Sequence, residues 1–194
     1  MKTFRSTSIV LWAAFAIGMG VASPSQAGLL PVNVTVSQDG RNYRYSYGVV
    51  LTSDSILRTN DFFTIYDFQG LVTSSSAEPA GFAFTTTKIG PTPIGTVPTD
   101  DPNVDNITWT YTGPDTLVGQ TGLGNFMVQS AYGSTIDGVF ASRTHRQVDG
   151  KTDSNITETE VPVPSPGVPE PATLALMGIG LPLLGLCRFM RRSV

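Results

Sequence analysis

The sequence predicts an all-β fold, an antiparallel β-sandwich or jelly roll, with a closed barrel as the second reading. Three observations carry this expectation. Apolar and polar residues alternate with a period of two in several segments, the pattern of half-buried strands. No stretch between the two hydrophobic termini shows a persuasive helical period. The 194 residues include 20 Gly and 14 Pro with only 14% charged residues, which excludes a coiled coil, a helical bundle or a charged disordered chain.

Taken in order, Val32, Val34 and Val36 alternate with Asn33, Thr35 and Ser37 and predict the first strand. Tyr43, Tyr45 and Tyr47 alternate with Arg44 and Ser46 and run into Val49, Val50 and Leu51 as the second. Asp39-Gly40 between them is a hairpin signal,. Residues 61–68 are apolar on both faces and predict a central strand,. Ile107, Trp109 and Tyr111 alternate with Thr108, Thr110 and Thr112, the cleanest strand in the chain. Residues 82–86, 126–130 and 136–141 complete a set of seven or eight. Gly133-Ser134, Asp137-Gly138 and Asp149-Gly150 mark turns, and prolines at 91, 93, 98 and 102 mark a long loop,. No repeat of fixed period argues for a solenoid or propeller.

The termini differ from this body. Lys2 and Arg5 precede an apolar stretch over residues 9–21, and Ser25 and Ala27 place small residues at −3 and −1 of a cleavage site. This is the pattern of a secretory signal peptide, residues 1–27. Residues 172–187 form a second uncharged run, spanning roughly 24 Å as a helix against a hydrocarbon core of about 30 Å. Phe189 and Met190 lengthen it, and Arg188, Arg191 and Arg192 flank it on the cytoplasmic side by the positive-inside rule,. A transmembrane helix is therefore expected at the C-terminus. The domain expectation is a signal peptide at 1–27, a β-sandwich at 28–160, a Pro-rich linker at 161–168 and a C-terminal segment at 169–194. Prolines at 162, 164, 166, 169 and 171 predict an extended spacer over 161–171, about 30 Å long at the polyproline rise.

Pro169-Glu170-Pro171, then a short Gly- and Leu-rich hydrophobic run, then Arg188, Arg191 and Arg192 at the end of the chain, resembles the PEP-CTERM sorting signal. The resemblance implies processing by an exosortase, a membrane cysteine transpeptidase of Gram-negative bacteria that make exopolysaccharide. It implies transient anchoring in the inner membrane, cutting near Pro169, Glu170 and Pro171, and release to the cell surface or extracellular matrix. Residues 61–68 and 106–113 also resemble segments common in the bodies of such proteins, which implies a β-rich extracellular domain.

Between residues 28 and 167 there are seven basic and fourteen acidic residues. Such a body is repelled by polyanions unless divalent cations bridge them, and no nucleic-acid partner is expected. The lone cysteine, Cys187, lies in the C-terminal run, so the body folds without disulfides,. One Cys and one His exclude zinc ligation by clustered Cys and His,.

No catalytic set is expected. His145 is the only histidine, and no Gly-x-Ser-x-Gly elbow accompanies Ser142 nearby; residues 143–146 read as an exposed polar turn,. Gly119 to Gly124 lacks the Lys of a phosphate loop and reads as a turn,. Asp101, Asn103 and Asp105 have the alternate spacing of a calcium loop, without its sixth-position Gly or twelfth-position Glu; the competing reading is an Asx turn capping the strand at Ile107,. Asn33, Asn106 and Asn155 begin glycosylation-type tripeptides,. Trp109, Tyr111, Tyr43, Tyr45 and Tyr47 would suit a sugar platform, but their regular alternation favours the core,. The functional expectation is a secreted noncatalytic surface or exopolysaccharide-matrix protein. The alternatives are a carbohydrate-binding or calcium-assisted adhesion module, and behind it a hydrolase of matrix polysaccharide.

Overall fold

A computed structural model of the chain describes residues 28–113 and 117–165, and among them are ten strands and no helix. The expected signal peptide with Ser25 and Ala27, the sorting residues Pro169, Glu170 and Pro171, the transmembrane helix and Arg188, Arg191 and Arg192 lie outside the described residues. The strands are β1 (Leu29–Asp39), β2 (Asn42–Leu51), β3 (Ser55–Leu57), β4 (Phe62–Ile65) and β5 (Phe82–Thr87). They continue with β6 (Asn106–Tyr111), β7 (Leu117–Val118), β8 (Thr121–Ser130), β9 (Ser134–Arg146) and β10 (Thr152–Val163). All their pairings are antiparallel.

The strands form two sheets. A small sheet has the order β1-β2-β8, and a seven-stranded sheet is built around the long β9. Along one edge β9 pairs with β10 over its whole length, from Ser134 opposite Val163 to His145 opposite Thr152. Its other edge is shared end to end by β4, opposite 140–143, and β3, opposite 145–146. β6 and β5 extend the sheet beyond β4.

The alternation read from sequence decides which side chains fill the space between the sheets. Tyr45, Tyr47, Val49 and Leu51 of β2 and Phe126 and Val128 of β8 point into the same core as Phe63 and Ile65 of β4, Ile107 and Trp109 of β6 and Phe140 of β9. Phe126 meets Phe63 and Phe82 edge-on at 4.8 Å and Trp109 at 5.5 Å. Phe63 also stacks on Trp109 and Phe140, both at 5.2 Å. Rings from both sheets thus interlock in a sandwich-like pair of layers, with the offset and edge-on geometry that aromatic quadrupoles favour.

Two tyrosines of β2 reach through the core to the far sheet. Tyr47 donates its hydroxyl to the Glu160 carbonyl at 2.9 Å, and Tyr45 donates to the carbonyls of Tyr132 and Ser134 at 3.1 and 3.3 Å. In the 91–102 loop the Pro91 carbonyl accepts from Tyr66 at 2.7 Å. A buried phenol needs such a partner, because an unpaired hydroxyl costs more than the bond returns.

Several expectations need correction. Asp137-Gly138 is not a turn: it lies inside β9, and a Cβ on Gly138 would stand 2.6 Å from Val161, so glycine here makes room for β10 to lie against β9. β10 was not expected as a strand, nor were β3 and β7. β10 runs three residues past 160, so Val161 and Pro162 of the expected linker belong to the sheet, and Val161 is buried in the core. Pro162 is tolerated because β10 is an edge strand, pairing only with β9,.

Burial pushes Tyr45 and Tyr66 up to about 12 and Tyr47 well above the ordinary value of 10. In the unfolded chain these phenols ionise near pH 10. The folded state therefore holds more protons between pH 10 and 12, so stability intact below pH 10 falls across that window. We expect phenolate absorbance from these residues to appear together with loss of tertiary structure in an alkaline titration. Tyr47→Phe should lower stability by about 0.5–1.5 kcal/mol. Phe126→Ala should cost about 3–5 kcal/mol in urea denaturation, because it opens a cavity where three rings meet.

Candidate functional site

The most concentrated polar arrangement sequence reasoning pointed toward surrounds His145. Residues 143–146 are not an exposed turn but the last part of β9. Strand alternation sends Arg143 and His145 to one face and Ser142 and Thr144 to the other. On the first face, Asp61 is fully buried just ahead of β4. Its Oδ2 accepts from the Arg58 backbone N–H at 2.8 Å and lies 3.0 Å from His145 Nδ1. Its Oδ1 lies 3.6 Å from Arg143 Nε, an ion pair too long for a hydrogen bond. The Arg143 guanidinium also donates to the Asn60 carbonyl and sits 4.8 Å above the Phe62 ring.

An Asp–His pair is two-thirds of a hydrolytic triad, and the structure brings no hydroxyl to it among the hydrogen bonds of the described residues. Ser142 lies across the sheet, where its hydroxyl donates to the Leu29 carbonyl at 3.3 Å. What the arrangement does is brace three segments. Asp61 ties the β3–β4 connection to β9, while its own backbone N–H and carbonyl bond Arg58 and Tyr111 at 2.9 and 2.7 Å. Sequence reasoning singled out His145 but missed Asp61, which it placed inside an apolar central strand. A carboxylate opening such a run was the available signal.

The 100–106 segment is the second candidate. Asp101 accepts from both the backbone and side-chain amides of Asn103 at 2.9 Å, and these bonds hold its carboxyl below the usual range. Asp105 is paired with Lys88 at 2.9 Å. Asp100 takes the Gly90 N–H at 3.0 Å and the Asn106 side-chain amide at 2.8 Å. Asp101, Asn103 and Asp105 are therefore close in the chain, but each carboxylate has its own donor. No group of three or more Asp, Glu, His or Cys suited to a metal ion is gathered among the described residues.

The organising residue of this segment is Asn106, fully buried at the start of β6. Its Oδ1 accepts the Asp67 N–H at 2.8 Å while its amide donates to Asp100 and to the Lys88 carbonyl. Asp67 in turn accepts the Asp101 N–H at 2.8 Å. Burial first, then the neighbouring carboxylates of Asp100 and Asp101, raise Asp67 above the usual range, with the Asp101 N–H working against them.

The aromatic candidates face inward. Tyr45, Tyr47, Trp109 and Tyr111 are buried and Tyr43 packs partly buried against the same core, so none of them presents a flat ring to a sugar. Of the three glycosylation-type tripeptides, Asn106 and Asn155 are buried and hydrogen-bonded, which leaves only Asn33 exposed.

The family model described as the PEP-CTERM protein-sorting motif matches residues 167–192. The chain thus carries that motif, four positions beyond the end of β10. It marks an exosortase-targeted protein and suggests export with processing at the membrane. No curated protein matches the chain.

Removing Asp61 takes the shared acceptor from Arg143, His145 and the Arg58 N–H, whereas removing His145 leaves Asp61 its other partners. We expect Asp61→Ala to cost about 1.5–3 kcal/mol and His145→Gln no more than about 1.5 kcal/mol. Equal losses in parallel urea titrations would show that Asp61 is not the centre of the brace.

Proposed function

We propose that this chain is a noncatalytic protein of the cell surface or exopolysaccharide matrix of a Gram-negative bacterium. In this reading residues 1–27 export it and are removed. Residues 169–194 then hold it briefly in the inner membrane, where an exosortase cuts near Pro169, Glu170 and Pro171. The observation that carries the reading is the sorting motif at 167–192, set directly after the last strand of the β domain.

Two features of the domain support a structural cargo over an enzyme or a sugar-binding module. The Asp61–His145 pair is used as a brace and faces away from the hydroxyls of Ser142 and Thr144. The aromatic residues that would stack on sugars form the core. The acidic body would meet a polyanionic matrix through divalent cations or not at all. A shallow groove of about 340 Å³ between β1 and β10, lined by Pro31, Val34, Asp137, Glu158 and Glu160, repeats that character.

Intact masses of the protein from each fraction of its native host test the reading. We expect a matrix species ending near Pro169–Pro171, and a full-length inner-membrane species when Pro169, Glu170 and Pro171 are all replaced by Ala. A wild-type protein retained full-length in the inner membrane would overturn it.

A further inference from the structure

Gly28 is held more closely than a residue in passing would need. It is buried, with φ at +109°. Its nitrogen lies 2.7 Å from Ser55 Oγ and 3.0 Å from Thr52 Oγ1. Its carbonyl accepts the Thr52 N–H at 3.1 Å. The next carbonyl, of Leu29, accepts from Ser142 Oγ at 3.3 Å and from the Asn155 side-chain amide at 3.2 Å. A further hydroxyl, Thr144 Oγ1, is buried with no hydrogen-bond partner, 3.4 Å from where a Cβ on Gly28 would stand.

A peptide nitrogen at Gly28 brings one N–H to two hydroxyl oxygens, which also hydrogen-bond each other at 3.0 Å, and the fully buried Thr144 hydroxyl has no partner. An α-amino group brings two hydrogens when neutral and three when protonated. Hydrolysis of the Ala27–Gly28 peptide bond supplies that group. Water gives its oxygen to the Ala27 carbonyl carbon, which leaves as a carboxylate, and its two hydrogens to the Gly28 nitrogen, which becomes the new amine in proton exchange with solvent.

We infer that Thr52, Ser55 and Thr144 form a binding site for the chain's own new α-amino group, so that removal of residues 1–27 adds hydrogen bonds the uncut chain lacks. The inference rests on reading those residues as a cleaved signal peptide. Two independent lines meet on one atom: Ser25 and Ala27 place the cut from sequence alone, and the Thr52 and Ser55 hydroxyls hydrogen-bond the nitrogen that the cut would free, with the Thr144 hydroxyl beside the same residue. A Cβ at this position would stand 3.4 Å from Asn155, Ser142 and Thr144, in van der Waals contact with the same cluster. The seated terminus joins the two layers, since Thr52 follows β2 of the small sheet while Ser142, Thr144 and Asn155 belong to β9 and β10 of the large one. Cleavage then strengthens the contact between the sheets at the moment the domain is freed from its leader.

The test uses the full chain exported by a secreting bacterium from its own N-terminal segment and extracted in detergent. Intact mass first reports the N-terminus. The α-amine is then acylated with acetic anhydride near neutral pH, in native buffer and in urea, with the exposed Lys151 as internal reference. A protein beginning at Gly28 should show its α-amine acylated at least about tenfold more slowly in the native state than in urea, as expected for hydrogen bonds to a charged group. Thr144→Val should speed native acylation and lower the melting temperature, and Thr52→Val, at a half-buried position, provides the same readout should the first variant fail to fold. A protein beginning at Gly28 whose amine reacts equally in both states would overturn the inference, as would a raised melting temperature in Thr144→Val, the result for deleting an orphan hydroxyl. An N-terminus elsewhere would refute the cleavage reading itself, and the inference with it.

Discussion

The interlock of rings around Phe126, Phe63 and Trp109 is the contact on which the rest of the domain depends. Phe126 enters from the small sheet, and Phe63 and Trp109 from the large one, at centroid distances of 4.8 and 5.5 Å. The described residues contain no cysteine, so no disulfide fastens the layers. Each aromatic pair adds about 0.5–1.5 kcal/mol beyond the area it buries. That increment matters where net stability is a difference of order 10 kcal/mol between large opposing terms. The tyrosine hydroxyls of β2 act on the same constraint from the rim. Tyr45 and Tyr47 anchor their far ends on carbonyls of the opposite sheet, which fixes the direction in which the layers face one another.

With the layers fixed by rings, polar groups are free to secure the connections. Asp61 binds the turn before β4 to β9, and Asn106 binds the loop after β5 to the start of β6. Both are fully buried residues whose side chains meet backbone N–H groups, which is how irregular chain can enter an interior without leaving donors unpaired,. The open edge is managed by a different means. β10 presents the exposed Glu158 and Glu160 along a strand with one partner, and their charge discourages pairing with another chain,.

The strands that sequence made legible are those whose alternation places large apolar side chains inward, such as β2 and β6. β10 was illegible because its chemistry is inverted. Its inward positions include Asn155, Thr159 and Val161, while Ile156 points outward at 41% exposure. Asn155 serves there because its amide donates to the Leu29 carbonyl, and Val161 fits because Gly138 of β9 leaves it room. β3 and β7, at three and two residues, are too short for any period to show. The polar candidates divide similarly. Asp101, Asn103 and Asp105 have the alternate spacing of a cation loop in sequence, but local spacing does not reveal that Lys88, from outside the segment, pairs with Asp105. Asp61 and His145 are 84 positions apart, a separation at which only the fold reports contact.

The division of labour in the chain follows from these constraints. A domain stabilised by an interior of rings and a few buried polar braces carries an acidic body, and no group of three or more His, Cys, Asp or Glu suited to a metal ion is gathered among the described residues. Its address is carried instead at 167–192, four positions beyond the last strand. The opposite end is built differently. Gly28 is buried, bonded through its nitrogen and its carbonyl, and set between the sheets. The start of the described domain is therefore coupled to the packing. A chain freed of residues 1–27 would gain cohesion from that cut.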